Sequence, residues 1–421
     1  MVIQNFNFLA TTPQRKMVLE LIEKGLASIQ PDEVFKKNVS LNNNSLSILD
    51  SSYDLNSFEN IYIIGFGKGS ALNAKLLEDL LGDKLTGGFV IDTREQSFAK
   101  IKFTRGTHPI ISKENVDFTE SVISKYCALS EKDLVIVIVC GGGSAMLEYP
   151  HALSLDNKVK LEKQLLKSGA DIIEMNKVRQ HLSNVKGGGL AQILYPSTVA
   201  TLIFSDVPGN DITYIASGPT VKNSTTTQDA LAIIQKYNIA EIPRAAFIEN
   251  PKDDKYFEKV KNHIVLSNLT ALDSMMQKAK ELGIRARIYS DKFQNEAKLA
   301  GEKLINETEN DEMLLIGGET TVKVTGNGVG GRNQEVVLGA LPFLDENTII
   351  ASVASDGWDN CEAAGAIGDG ETLRKTKELN LNPQEFLNDN NSLEFFQKTG
   401  DAIMTGRLPS NVSDLMIVYK Y

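Results

Sequence analysis

Short apolar runs alternate with amphipathic helical patterns through most of this chain. In the first half, the runs at 61–64, 88–91, 134–140 and 199–204 are rich in Val and Ile and show little polar alternation. Such runs are typical of parallel strands that are buried on both faces. Because helical patterns separate them, we predict strands joined by crossover helices. The expected fold is α/β, with a first, Rossmann-like domain that contains a mainly parallel sheet.

The second half repeats this pattern after a charged stretch that contains prolines, at 237–261. A helix is predicted at 269–282, because apolar residues recur every three or four positions and Gly283 follows. Strands are predicted at 264–266, 287–290, 313–316, 321–325, 348–353 and 415–419. We place the domain boundary near residue 245, with one domain over 1–245 and a smaller α/β domain with a mixed sheet over 246–421.

Composition and charge narrow the class of protein. Hydrophobic residues make up 42% and charged residues 23% of the 421 positions, as in ordinary globular proteins. The net charge of -10 argues against a nucleic-acid partner. The apolar run at 134–140 is far shorter than the roughly 20 residues of a membrane helix, and the first residues do not resemble a secretion signal. We expect a cytoplasmic protein that binds neither nucleic acid nor membrane.

Glycines concentrate at the ends of the predicted strands, at 65–69, 141–144, 187–189, 317–319 and 328–332. In open α/β sheets ligands bind beyond the carboxyl ends of strands, where glycine lets backbone N–H groups approach an anion. The cluster at 141–144, three glycines and a serine after a long strand, is the strongest anion-binding candidate. A nucleophilic Ser144 is its alternative, but would need histidine and acidic partners. The cluster at 65–69 fits neither a P-loop nor a complete dinucleotide fingerprint, and a simple tight turn also explains it.

Acidic residues also follow predicted strands. Asp206 comes after the run at 199–204 and Asp356 after the run at 348–353, where a metal ligand or a general base is expected. A cap of a helix or turn is the alternative role for both. Because the sequence contains no His/Cys cluster, any metal should be a hard cation such as Mg²⁺, held by carboxylates, phosphate oxygens and water.

Together these segments resemble the glycerate kinase type II family, which has an N-terminal glycerate-kinase domain and a C-terminal MOFRL domain. The resemblance is carried by the segments at 65–68, 107–109, 140–147, 165–191, 205–221, 225–230, 317–335 and 355–366. The chain departs from the family pattern in SDGWDN (355–360) and TGRLPSNVSD (405–414), at Gly189, where arginine is common, and at Asn295, which replaces a glycine.

The resemblance implies transfer of the γ-phosphoryl group of ATP to D-glycerate, most often to its 2-hydroxyl, with Mg²⁺ as a second cofactor. Phosphoryl transfer needs in-line positioning and positive charge around the transferring oxygens. Lys68 and Arg332, which both lie among glycines, are therefore the predicted catalytic cations. Asp206 is predicted either to accept the hydroxyl proton or to hold the metal, and both roles stay open.

The remaining site residues follow from the same resemblance. The nucleotide is expected to contact Gly141, Gly142, Gly143, Ser144, Gly317, Gly318, Glu319, Asn333 and Asp356. The substrate carboxylate is expected at Arg179 and Lys186, with His181 between them, although a solvated helix face is the alternative. Family members have also been labelled hydroxypyruvate reductases, so an NAD(P)-dependent reductase is the rival activity, and a non-catalytic nucleotide sensor is a further one. A monomer or homodimer is expected.

Overall fold

The computed structural model describes residues 1–239 and 242–421. In chain order, the strands are β1 (Val39–Asn42), β2 (Ser45–Ile48), β3 (Ser51–Asp54), β4 (Asn60–Phe66), β5 (Gly87–Asp92), β6 (Ile101–Arg105), β7 (Asp133–Val139), β8 (Thr198–Phe204), β9 (Val260–Leu266), β10 (Ala286–Phe293), β11 (Glu312–Gly318), β12 (Thr348–Ala354), β13 (Gly365–Gly368), β14 (Ala402–Ile403) and β15 (Asp414–Lys420).

The α-helices, in the same order, are α1 (Phe6–Leu9), α2 (Pro13–Ser28), α3 (Pro31–Asn38), α4 (Ser70–Leu81), α5 (Lys113–Tyr126), α6 (Gly143–Met146), α7 (Leu155–Lys167), α8 (Ile172–Gln180), α9 (Gly189–Leu194), α10 (Thr227–Lys236), α11 (Asn268–Glu281), α12 (Ala297–Glu307), α13 (Arg332–Ala340), α14 (Gly370–Glu378), α15 (Pro383–Asn388) and α16 (Ser392–Thr399). Within the described residues, no helix is both long enough and apolar enough to cross a membrane.

The chain forms two compact units. We call Phe35–Ser205 with Asn210–Val265 the central unit, and Met1–Val34 with Asp206–Gly209 and Leu266–Tyr421 the terminal unit, because it holds both chain ends. These units divide the chain differently from a single boundary near residue 245. The assignment of a glycerate-kinase domain to 1–245 and a MOFRL-type domain to 246–421 stays a prediction.

The central unit is built on a six-stranded sheet of order β6-β5-β4-β7-β8-β9. The pairs β4–β5, β4–β7, β5–β6 and β7–β8 are parallel, and every residue of β7 is buried. The predicted parallel sheet is therefore confirmed. From β4 the chain builds the sheet outward through β5 and β6, and then returns to add β7 on the other side of β4. The carboxyl ends of β4 and β7 thus flank the point where strand order reverses.

The terminal unit contains a second six-stranded sheet, of order β10-β11-β15-β12-β13-β14. Only the pair β10–β11 is parallel, and the other pairs are antiparallel, as in a mixed sheet. The predicted helix at 269–282 is present as α11, and its residues Leu272, Met275 and Ala279 are buried. A Cβ added at Gly25 would lie 2.9 Å from the Met275 side chain, so α2 packs closely against α11. These contacts confirm a second α/β layer structure.

Arg15 on α2 explains why the N-terminal residues join the terminal unit. Its fully buried guanidinium donates from Nε to Asp369 at 2.6 Å and from Nη1 to Asp401 at 2.9 Å. Both partners lie more than 350 positions away in the sequence. No local pattern can reveal such a pairing, which is why the sequence did not predict it.

The strand predicted at 321–325 is wrong. Only an isolated bridge between Glu296 and Thr321 forms there, and Val324 is 75% exposed. The N–H groups of Thr325 and Gly326 donate to the side-chain oxygen of Asn390, at 2.7 and 2.9 Å. A side chain therefore takes the place of a neighbouring strand. The structure also contains β6, β13, β14 and a small antiparallel sheet of β1, β2 and β3, which the sequence did not predict.

Candidate active site

Lys68 lies in a turn after β4 that two glycines shape. Gly67 and Gly69 have φ values of 105° and 92°, and a Cβ at Gly67 would lie 2.3 Å from the carbonyl oxygen of Cys140. The N–H of Lys68 donates to the carbonyl oxygen of Gly141 at 2.8 Å, so this turn touches the loop that follows β7. The Lys68 side chain is exposed, and it forms no ion pair within the part of the chain that the structure describes.

Asp92 occupies the N-terminus of α4, a contact that the sequence analysis missed. One of its carboxylate oxygens accepts from the N–H groups of Gly69 at 2.8 Å and Ala71 at 3.0 Å. The residue is 1% exposed, at the end of β5. Because Asp92 satisfies the N–H groups of Gly69 and Ala71, and Gly141 that of Lys68, these three amides are not open to a ligand, whereas the ammonium group of Lys68 is.

The loop after β7 presents donors that nothing satisfies. The N–H groups of Gly141, Gly142 and Ser144 have no acceptor among residues 1–239 and 242–421. Gly142 has a φ of 77°, and a Cβ there would lie 2.7 Å from Cδ2 of His108. All three residues are partly exposed, so their N–H groups are accessible to a ligand, and neighbouring donors on one loop form an anion site. This geometry supports the predicted contact with phosphate.

His108 borders this loop beside the Lys68 charge. Burial and the nearby ammonium group of Lys68 both lower the pKa of His108. Its imidazole is therefore neutral at neutral pH, and it adds no charge to the site. Lys68 supplies the cation next to the unpaired N–H groups.

Ser144 is held by a serine rather than by a histidine. Its Oγ lies 2.9 Å from Oγ of Ser217, which donates to the side-chain oxygen of Asn176 at 2.8 Å. Since the Ser217 proton points to Asn176, Ser144 donates to Ser217. Ala216 and Ser217 both have a positive φ, 50° and 62°, which is strained backbone for non-glycine residues. This arrangement gives no support to a nucleophilic Ser144.

Arg179 and Lys186 belong to a buried cluster of ion pairs behind the loop. Arg179 donates from Nε to Glu162 at 2.8 Å, and its Nη2 forms an ion pair with the same carboxylate oxygen at 2.8 Å. Lys186 is 1% exposed and donates to Glu148 at 2.5 Å and to the carbonyl oxygen of Ser144 at 2.6 Å. Lys158 lies 3.5 Å from Glu148 and 3.4 Å from Glu162. The two predicted substrate cations are therefore already paired.

Burial and neighbouring charges have opposite effects on the pKa values in this cluster. Burial alone raises the pKa of Glu162, but Lys158 and Arg179 outweigh it and bring the pKa to about 2. Burial lowers the pKa of Lys186, and Glu148 opposes that shift. His181 is also buried, between the carbonyl oxygen of Ile248 and the hydroxyl of Thr225. Of these three residues, Lys186 contacts the loop after β7, through the carbonyl oxygen of Ser144.

In the terminal unit, Arg332 is the first residue of α13 and binds two carboxylates. Its Nε donates to Asp414 at 2.7 Å and its Nη1 to Glu319 at 2.6 Å, and 32% of its side chain is exposed. Asp414 is fully buried. Burial raises the pKa of Asp414 to about 6, although Arg332 opposes the shift. Arg332 thus uses Nε and Nη1 for its two carboxylates, while its Nη2 forms no hydrogen bond with the described residues.

Asn333 is fully buried and orients its neighbours. Its amide donates to Asp414 at 2.9 Å and to Asp359 at 3.2 Å, and its oxygen accepts from Ser352 at 2.5 Å. Asp359 also accepts from the N–H groups of Asn333 and Gln334 and so caps α13. The predicted nucleotide contact at Asn333 has no exposed atom to make it. Asp359, which the sequence analysis did not select, fixes the start of the helix that carries Arg332.

Gly317, Gly318 and Asp356 have local structural roles. A Cβ at Gly317 would lie 2.8 Å from the Asn268 amide, and one at Gly318 would lie 2.1 Å from the carbonyl oxygen of Phe293. Both glycines are buried in β11, where close packing explains them. Asp356 accepts from the N–H of Trp358 at 3.0 Å, as in a turn cap. Their predicted contacts with a nucleotide stay predictions.

The two segments that depart from the family pattern meet in space. The guanidinium of Arg407 lies 3.8 Å from the ring centroid of Trp358, and a Cβ at Gly357 would lie 1.9 Å from the carbonyl oxygen of Gly406. A cation–π contact therefore joins the two segments. The departures are coupled to each other.

Asp206 follows β8 and is grouped with the terminal unit. It is half-buried, and its carbonyl oxygen accepts from the Ser413 hydroxyl at 2.8 Å. Among the described residues, no three His, Cys, Asp or Glu side chains gather as a metal site. Mg²⁺ at a nucleotide needs only one or two protein carboxylates, with phosphates and water as the other ligands. Asp206 fits that donor set.

Comparisons with known proteins identify the family of this chain. A family model described as "Domain of unknown function (DUF4147)" matches residues 17–247, and the MOFRL family model matches residues 312–414. D-glycerate 2-kinase of Thermotoga maritima is 33% identical over 96% of this chain and 97% of its own length. The chain belongs to the glycerate kinase type II family. This confirms the resemblance inferred from the motifs.

Other members of the glycerate kinase type II family extend the comparison. The crystal structure of glycerate kinase from Thermotoga maritima superposes with a TM-score of 0.86 at 32% identity, and the match covers 96% of this chain and 99% of that chain. A putative hydroxypyruvate reductase of Agrobacterium vitis is 34% identical over 85% of this chain and 98% of its own length. The family therefore includes proteins that carry both of the names considered from the sequence.

Proposed function

We propose that this protein transfers the γ-phosphoryl group of ATP to D-glycerate, giving 2-phosphoglycerate and ADP. The observation that carries the proposal is the loop after β7. Three of its N–H groups have no acceptor among the described residues, and the turn that holds the exposed Lys68, which has no ion-pair partner there either, touches this loop. That combination binds a polyphosphate. The similarity to a D-glycerate 2-kinase supports D-glycerate as the acceptor of the phosphoryl group.

The proposed chemistry gives each group a distinct role. In the central unit, the N–H groups of Gly141, Gly142 and Ser144 hold phosphate oxygens, and Lys68 offsets charge on the transferring group. In the terminal unit, Arg332 is proposed to donate from Nη2, which neither Asp414 nor Glu319 binds. Asp206 either takes the hydroxyl proton or helps to hold Mg²⁺. When bound, Mg²⁺ would supply positive charge at the phosphate oxygens.

The predicted substrate residues take a different part in this proposal. Lys186 bonds the Ser144 carbonyl oxygen from a buried position, so it sets the loop, and any effect on glycerate is indirect. Arg179 lines a pocket beside the loop, but Glu162 lies 2.8 Å from both its Nε and its Nη2. We therefore expect substitutions at Lys186 to change kcat and KM for ATP more than KM for glycerate.

One coupled assay tests the activity. The purified protein is given D-glycerate, ATP and Mg²⁺, and ADP release is followed; the product is identified by whether enolase converts it directly. We expect ADP release that depends on D-glycerate and on a divalent cation, with loss of activity in chelator and recovery with Mg²⁺ or Mn²⁺. Full turnover without a divalent cation would contradict the role given to the metal.

The same preparation tests the rival activity. A reductase would consume NADH or NADPH in the presence of hydroxypyruvate, with no need for ATP. The sequence contains no complete dinucleotide fingerprint. In the turn at 65–69, which comes nearest to one, the N–H of Gly69 is bonded to Asp92 and the N–H of Lys68 to the carbonyl oxygen of Gly141. We expect no oxidation of the reduced cofactor. Oxidation without glycerate-dependent ADP release would replace the proposed function.

A further inference from the structure

A pocket of about 190 Å³ lies within the central unit, beside the loop after β7. Gly142, Ser144 and Ala145 of that loop form one side of it. The other sides come from α7, α8 and the segment that follows β6. The pocket therefore shares a wall with the unpaired N–H groups.

The other walls of this pocket are mainly apolar. Ile110, Ile111, Val159 and Leu166 line it. Ile110 is 54% exposed and Leu166 is 63% exposed, so both leave apolar surface in water. Exposed apolar side chains around a concave site are typical of ligand pockets. A ligand that covers these side chains should have a flat or apolar surface.

The position of the pocket in the sheet also favours a nucleotide. The carboxyl ends of β4 and β7 flank the place where strand order reverses, which is where nucleotides bind in open α/β sheets. Pockets that enclose a whole drug-sized ligand measure about 300–1,000 Å³. A smaller pocket next to an anion loop can enclose one part of a nucleotide and leave its phosphates on the loop.

The charges around the pocket favour a nucleoside over glycerate. Arg179, which lines it, is already paired with Glu162, through a hydrogen bond from Nε and an ion-pair contact of Nη2. Lys163 lies at the exposed rim and forms no ion pair within the described ranges. A small hydroxy acid has no apolar surface to cover Ile110 and Leu166. A purine ring covers them, and its phosphates can still reach the loop.

We propose that this pocket receives the nucleoside part of ATP, with the base against Val159 and Leu166 and the phosphates on the loop at 141–144. The inference rests on the proposed function for the identity of the nucleotide. It adds a base-binding site on α7 and on the segment after β6, which none of the predicted cofactor residues belongs to. Gly142 joins the two parts, because any side chain there would meet His108.

The test uses the full chain with Mg²⁺ and measures binding of ADP and of inorganic tripolyphosphate by calorimetry. Val159→Trp fills the pocket, and Leu166→Asn removes apolar cover from an exposed position where folding is insensitive. Leu299→Asn, at a leucine on α12 that is 50% exposed, is the matched control. We expect the Kd for ADP to rise about tenfold or more in Val159→Trp and several-fold in Leu166→Asn. Tripolyphosphate should bind all variants equally.

Unchanged ADP binding in Val159→Trp and Leu166→Asn would overturn the assignment. So would weaker binding of D-glycerate with normal binding of ADP, because the pocket would then hold the acceptor. If the wild-type protein binds ADP in this pocket but releases no ADP with D-glycerate, the proposed function fails and the nucleoside site stands. If the wild-type protein releases ADP with D-glycerate but Val159→Trp and Leu166→Asn bind ADP normally, the proposed function stands and the nucleoside site fails.

Discussion

Lys68 and Arg332 are both candidate catalytic cations, but their surroundings differ. Lys68 is exposed and has no carboxylate partner among the described residues, whereas Arg332 is bound by Asp414 and Glu319. Removing the Lys68 charge deprives no buried carboxylate of its counter-charge. Removing the Arg332 charge leaves Asp414, which is fully buried, without its main counter-charge. The two residues should therefore differ in their effect on folding.

Lys68→Met should reduce kcat by about 10²-fold or more, because a charge that acts on the transition state contributes about 3 kcal/mol to catalysis. KM for ATP and glycerate should change much less, and the melting temperature should stay unchanged. Steady-state kinetics and thermal unfolding measure both effects. A near-normal kcat would make Lys68 an ordinary surface lysine.

Arg332→Met should reduce kcat by a similar factor and should also lower the melting temperature. Arg332→Lys should recover only part of the activity, since a point charge cannot bind Asp414 and a phosphate oxygen with one planar group. Lys68→Met serves as the comparison for stability. Equal melting temperatures of the two Met variants would contradict the role of Asp414 as a buried partner.

Asp414 should make stability depend on pH. Its pKa is about 6 in the folded protein against a usual value of 3.8, so the folded state holds this proton more tightly than the unfolded state. Its contribution is therefore present below pH 4 and is lost as pH rises to about 6, by about 3 kcal/mol. We expect the wild-type protein to lose stability relative to Asp414→Asn between pH 4 and 6, and the difference to be constant above pH 7. Thermal unfolding of both proteins across this range measures it, and a flat difference would contradict the shift.

At the scale of elements, the site depends on how strands end and helices begin. The turn after β4 and the loop after β7 are in contact through Lys68 and Gly141, and Asp92 from β5 fixes the start of α4. In the terminal unit, Asp359 fixes the start of α13 in the same way. In both units an acidic cap sets the helix next to which a catalytic cation is proposed.

Asp92→Asn should therefore reduce both stability and activity. The lost charged cap costs about 1–2 kcal/mol of stability, and displacement of the Lys68 turn should lower kcat by about tenfold. Thr226→Ala is the matched control, because Thr226 caps α10 by accepting from the N–H of Asp229. The control should lose about 1 kcal/mol and keep its activity. If Asp92→Asn lost stability alone, the cap would not position Lys68.

At the scale of the whole molecule, the terminal unit is completed by the first residues of the chain. Arg15 is fully buried between Asp369 and Asp401, and α2 packs on α11. A buried charge network of this kind is weak evidence for net stability, but breaking it is costly, because it leaves the buried Asp369 without a counter-charge and Asp401 with Lys375 alone, at 3.0 Å. The N-terminal helix is therefore part of the fold of this unit.

Arg15→Ala should destabilise the protein by about 3–5 kcal/mol. Lys16→Ala is the control, since Lys16 is 60% exposed and 3.9 Å from Glu20, and it should change stability by less than about 0.5 kcal/mol. A fragment of residues 266–421 should be unfolded by circular dichroism and should gain structure when residues 1–34 are added. Cooperative folding of the fragment alone would contradict this dependence.

The sequence by itself determined the fold class, most strands and the family. Runs such as 134–140 and 348–353 are apolar over their whole length, and only burial on both faces of a sheet explains them. The glycines at 141–143 can also be recognised from the sequence, because a backbone that turns sharply and approaches a ligand excludes side chains. These features depend on local periodicity and residue type, which one sequence carries.

Only the tertiary structure decided which polar groups are free to act. Lys68 and Lys186 both lie in glycine-containing segments, yet the first is exposed and the second is buried against Glu148. The side-chain amide of Asn333 is hydrogen-bonded to Asp414, Asp359 and Ser352. Asp92 and Arg15 act through partners far along the chain. Pairing of charges depends on distances between distant residues, and no local pattern contains those distances.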